Sequence, residues 1–92
     1  MTNAKLFEKL RSLIENADDS DKKRIKKIRK VVHKLRDRQR KLENDLEDIK
    51  SEHERQKTEQ DIRVIQLQRE RGIKVYRQLK RDLDNRKKNK KH

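Results

Sequence analysis

The chain has 92 residues, of which 51% are charged and 27% apolar; it holds one Phe, one Tyr, one glycine, no proline and no cysteine, and its formal net charge at pH 7 is +13. That composition excludes a thick mixed core, disulfides and thiolate metal sites, and no apolar run approaches the ~18 residues a membrane-spanning helix needs. High charge with few apolar residues ordinarily points to disorder, but here Ile, Leu and Val recur periodically among Lys, Arg, Glu and Gln, which points to long helices that each bury a narrow stripe.

The expected fold class is all-α: an antiparallel helical hairpin, or coiled coil, preceded by a short amphipathic N-terminal helix. Residues 1–17 form the first unit. From Ala4 to about Asn16, Leu6, Phe7, Leu10, Leu13, Ile14 and Ala17 fall on one face at 100° per residue. Lys5, Lys9 and Arg11 flank that face as they would in a helix lying on an anionic membrane, but the acidic run Asp18 to Asp21 opposes this, and packing against the rest of the chain is expected instead. Asn16, Asp18, Asp19, Ser20 and Asp21 break the pattern with residue types that cap helix N-termini, so a second helix is expected to start near Asp19 or Ser20.

Residues 18–88 form the hairpin. Ile25, Ile28, Val32, Leu35, Leu42, Leu46 and Ile49 follow three-and-four spacing, interrupted at Gln39. From Lys50 to Asp61 no residue is apolar; the stripe then resumes as Ile62, Ile65, Ile73, Tyr76, Leu79 and Leu83. In one unbroken helix Leu42 and Ile62 would lie 200° apart, so a single partner could not cover both stripes. Reversing the chain in a turn at residues 51–58, near Arg55 and Gln56, pairs residues whose numbers sum to 111: Ile49 with Ile62, Leu46 with Ile65, Leu35 with Tyr76, Val32 with Leu79 and Ile28 with Leu83. Leu42 then meets Arg69 and Gln39 meets Gly72, two weak layers. Ser51 with Glu54, or Thr58 with Asp61, has the spacing of a capping pair for the second arm. A continuous helix in an oligomer is the alternative. Val64, Leu67 and Val75 lie opposite the second stripe and are expected to receive the N-terminal helix or a second subunit, so a homo-oligomer is expected.

The charge is segregated. Residues 22–41 carry twelve basic groups against Asp37 alone, residues 42–61 carry eight acidic against three basic, and residues 62–92 carry twelve basic against three acidic. A hairpin therefore has one basic end and an acidic tip. Like charges recur at helical spacing in the first arm, as in Lys22/Lys26, Lys26/Lys30, Lys30/Lys34 and Arg36/Arg40, and a bound polyanion would relieve that repulsion. The candidate polyanion-binding residues are Lys22, Lys23, Lys26, Lys27, Arg29, Lys30, Lys34, Arg36, Arg38 and Arg40, with Arg86, Lys87, Lys88, Lys90 and Lys91 as a flexible basic tail and residues 89–92 as its terminal segment.

No catalytic constellation is present: carboxylate pairs such as Glu43/Glu47 read as helix surface, and His33, His53 and His92 lack ligand spacing, so no metal, cofactor or small-molecule substrate is expected. The basic runs 22–30 and 86–91 match nuclear-localisation patterns only as any basic rod does. The functional expectation is a non-enzymatic, cytoplasmic coiled-coil interaction or assembly protein with a strongly basic end, or else a phosphate-contacting binder of structured RNA or duplex DNA with little sequence specificity.

Overall fold

The computed structural model describes residues 3–15 and 21–89, and side chains through residue 86. It contains three α-helices: α1 (Asn3–Glu15), α2 (Asp21–Asp48) and α3 (Glu52–Asn89). No described residue is in a strand. The molecule is a rod of 63 × 20 × 15 Å in which α2 and α3 pack along their lengths as an antiparallel hairpin, while α1 packs chiefly on α2 and lightly on α3. Among the described residues no helix is long and apolar enough to cross a membrane.

Fully buried Ile28, Leu35 and Ile65 form the hairpin seam, and Leu6 and Leu10 bring α1 onto it together with Val31. Leu42, Val32, Tyr76 and Leu79 pack around this core while half-buried. Val31, which the three-and-four pattern of α2 omits, is 1% exposed. It lies 100° from Val32 and 40° from Leu35 around the helix, on the flank that α1 covers.

The chain reverses at residues 49–51, at the leading edge of the expected 51–58 turn; from Glu52 onward α3 is helical. The reason is local. Residues 52–61 are helix formers without glycine or proline, so nothing stops them from extending α3. Ser51 stands at the N-cap position, its carbonyl accepts the Arg55 N–H at 2.9 Å, and Glu52 and Glu54 place negative charge in the first turn. The Ser51/Glu54 pair, not Thr58/Asp61, thus has the positions of a capping pair. The Ile49 N–H closes the end of α2 onto Leu46 O at 3.3 Å, and the Arg55 guanidinium donates to Ile49 O at 3.4 Å.

Moving the turn moves the register. Val32, not Gln39, approaches Gly72: a Cβ built on Gly72 would sit 2.8 Å from Val32 Cγ2 and 3.2 Å from Leu10 Cδ1. Residue numbers at that crossing sum to 104 instead of 111, a slip of one heptad, so each stripe still faces the seam with different partners. Gln39, 8% exposed, forms a polar layer: its Nε2 donates to Glu43 Oε1 at 2.7 Å, and its Oε1 accepts from Arg69 Nη1 at 2.6 Å.

The basic end is closed by Arg24. Neither α1 nor α2 has a basic residue in its own last turn. Arg24 of α2 supplies one for α1, with Nε donating to Leu13 O and Nη2 to Ile14 O, both at 2.9 Å. Asp21 accepts an ion pair from Arg24 at 3.6 Å and another from Arg86 at 3.0 Å, joining all three helices.

Candidate polyanion-binding groove

Because α1 covers one flank of the hairpin, the other flank is open. A groove of about 480 Å³ runs there between α2 and α3, lined by Arg29, Val32, His33 and Arg36 on one wall and Arg69, Ile73, Tyr76, Arg77 and Lys80 on the other. The spacing explains the wall composition. On α2, residues 29, 33 and 36 stack on the edge of the seam at i, i+4 and i+7; on α3, residues 69, 73, 76/77 and 80 do the same. Val32, Ile73 and Tyr76, all half-buried, form an apolar floor; Arg29, Arg77 and Lys80 are exposed at the rims, and Arg36 and Arg69 are half-buried between. None of the described lining residues is acidic.

Cations facing each other across an apolar floor have few routes to neutralisation within the chain. Arg36 has only a 3.8 Å approach to neighbouring Asp37, and its Nε, like that of Arg69, is shielded from water without a hydrogen-bond partner. Lys80 Nζ lies 5.9 Å from the Tyr76 ring centroid, within reach of a cation–π contact. The arrangement offers convergent positive potential to an anionic strand. Among the described residues no three His, Cys, Asp or Glu side chains gather as a metal site.

The sequence-derived cations are distributed unevenly. Arg29 and Arg36 line the groove; Lys22, Lys23, Lys26, Lys27, Lys30 and Arg40 are exposed elsewhere on α2. Lys34 and Arg38 line a separate crevice of about 310 Å³ between α1 and α2, together with Leu6, Asp37 and Lys41. Arg86 is not part of a flexible tail: α3 continues through Asn89, because nothing in 83–89 breaks a helix, and Arg86 pairs with Asp21. The side chains of Lys87 and Lys88, and all of Lys90, Lys91 and His92, lie outside the described residues, as does the break at 16–20. Four groove residues lie outside the sequence-derived polyanion set: Arg69, Arg77, Lys80 and His33. Their signal was present, since Arg77 and Lys80 follow Ile73 and Tyr76 at four-residue spacing, the position of a seam edge.

No family model matches this sequence, and no curated protein or solved structure is similar to it.

Proposed function

We propose that this chain is a non-enzymatic cytoplasmic protein that holds the phosphate backbone of structured RNA or duplex DNA along the α2/α3 groove, with little sequence preference. The observation that carries this reading is the groove itself: five cationic side chains from two helices, with no acidic residue among its described lining, on the flank that α1 leaves uncovered. The space between two packed helices is too narrow for a duplex, so one backbone strand would lie along the rims, contacted by guanidinium and ammonium groups that read charge and not base identity. Tyr76 sits in the floor, half-buried beneath Lys80, and offers little face for base stacking.

Fluorescence anisotropy with a labelled RNA duplex and a DNA duplex of matched length tests this. Each phosphate contact contributes ~0.9 to the log–log salt slope on B-DNA, so Arg29→Gln/Arg77→Gln is expected to lower the slope by about 2 and weaken binding at least about tenfold in low salt. Binding that is equally strong in that variant, or absent at physiological ionic strength, sinks the reading.

A second reading, a coiled-coil assembly module that docks another helix, is favoured by Val64 and Leu67. They are 44% and 58% exposed and lie about 180° and 120° round α3 from the groove residue Ile73. A Leu67→Glu chain that still captures every helical partner of the wild type would remove it.

A further inference from the structure

The groove flank continues past the groove, and its charge reverses. Residues seven apart on a helix nearly share a face, with a drift of about 20°. On α2, Arg29 and Arg36 are followed at that interval by Glu43, and His33 and Arg40 by Glu47. On α3, Glu59 and Glu52 precede Ile73 by two and three heptads, a drift of about 40° and 60°, while Arg63 and Arg55 precede Arg77 and Arg69 by two heptads. One flank of the rod thus carries a basic half toward the helix-closed end and, toward the turn, an acidic half in which Glu43, Glu47, Glu52 and Glu59 outnumber Arg55 and Arg63. Glu47, Glu52 and Glu59 are exposed, and the apolar residues beneath the acidic half, Leu42, Leu46, Ile49 and Ile62, are only partly buried because α1 does not extend that far.

From this charge reversal we infer that the flank is a self-complementary interface, on which two copies of the chain pair face to face and antiparallel about a two-fold axis. In that arrangement the acidic half of each copy lies over the cationic groove of the other. Two identical contacts form at once and the assembly closes as a dimer; a one-sided tip-to-groove contact would leave a free tip and a free groove and would grow without limit. The half-buried floor residues Val32, Ile73 and Tyr76 are covered at the same time. The acidic half thereby occupies the place proposed for a phosphate backbone, so dimerisation and polyanion binding exclude each other. The inference needs the groove to be open, as the proposed function does, but not that it binds nucleic acid.

Sedimentation equilibrium of the full chain at low ionic strength, without nucleic acid, tests it. The wild type is expected at twice the 11.4 kDa chain mass, with no larger species as concentration rises and a return to the chain mass in high salt. Arg29→Glu/Arg77→Glu reverses two of the groove's five cations, and Glu47→Lys/Glu59→Lys reverses two of the four carboxylates Glu43, Glu47, Glu52 and Glu59. Each variant alone is expected at the chain mass with an unchanged helical circular-dichroism spectrum, and their equimolar mixture at twice that mass. Leu67→Glu, on another face, is expected to dimerise as the wild type does. A monomeric wild type, growth beyond the dimer, or variants that dimerise alone or fail to associate when mixed would overturn the inference. Nucleic-acid binding measured separately on Glu47→Lys/Glu59→Lys, whose groove is intact, keeps the two claims apart: it can fail while the dimer stands, and the reverse.

Discussion

Arg24 is the side chain on which the basic end of the rod depends. Its side chain is only 11% exposed, yet its charge is met by two main-chain carbonyls and a carboxylate, and the carbonyls belong to the C-terminal turn of another helix, where the dipole is negative. Hydrogen bonds from a charged donor contribute about 1.5–3 kcal/mol each, and a lysine cannot reproduce the fork that reaches Leu13 O and Ile14 O together. Arg24→Lys is therefore expected to cost about 2 kcal/mol in urea unfolding and to raise backbone amide exchange selectively in α1. If exchange rises equally in all three helices, or the loss is under about 0.5 kcal/mol, Arg24 is not the anchor of α1. Nothing in the sequence singled this residue out from the eleven other basic residues between 22 and 41.

At the scale of elements, the one glycine sets how closely three helices meet. In a solvent-exposed helix, replacing Gly72 by alanine would stabilise by about 1 kcal/mol. Here the added Cβ would fall 2.8 Å from Val32 Cγ2 and 3.2 Å from Leu10 Cδ1, and such overpacking typically costs about 1–3 kcal/mol. Leu10 can move its terminal methyl; a β-branched valine on a helix has little freedom at χ1. Gly72→Ala is expected to lower stability in the wild type and to raise it in a Val32→Ala background, a reversal of sign that denaturant titration of the four chains would detect. The same sign in both backgrounds would mean that the close approach is not what fixes glycine at this position.

The register these contacts define was only partly legible. Hydrophobic spacing identified the three helices and the hairpin, because those follow from which face of each helix is apolar. It could not choose between pairings one heptad apart, since both keep the stripes facing. The choice is made by features with weak sequence signals: the start of α3 immediately after Ser51, the space above Gly72, and Gln39 bridging Glu43 to Arg69. A buried polar layer of this kind disfavours competing registers, in which its members would lack partners. The open groove was illegible for a related reason. Its cations were visible in the sequence, but which of them converge depends on which flank α1 covers, and α1 is joined to α2 by only a few residues.

For the whole molecule, charge acts against the fold that displays it. Residues 22–41 place like charges at i, i+4 repeatedly along α2, each pair costing a few tenths of a kcal/mol, and the groove adds cations from α3 across from them. Ion pairs such as Arg11–Glu15 and Arg71–Glu15 are exposed, and such pairs contribute about 0–1 kcal/mol. Screening should therefore relieve more repulsion than it removes attraction. At ~1 M salt the Debye length is ~3 Å, shorter than the ~6 Å rise between residues four apart, so most of the α2 repulsion is lost, an expected gain of about 1 kcal/mol. For a chain of this size that corresponds to a rise in Tm of about 4–8 °C between low salt and 1 M sodium chloride. The measurement belongs at concentrations where the chain sediments as a monomer, since the proposed dimer weakens with salt and shifts Tm the other way. A Tm that falls with salt in the monomer would mean that the Arg24–Asp21–Arg86 network and its neighbours outweigh the basic face. The positive charge would then be held at no cost to the fold, and the energetic case for a bound polyanion would lose its footing.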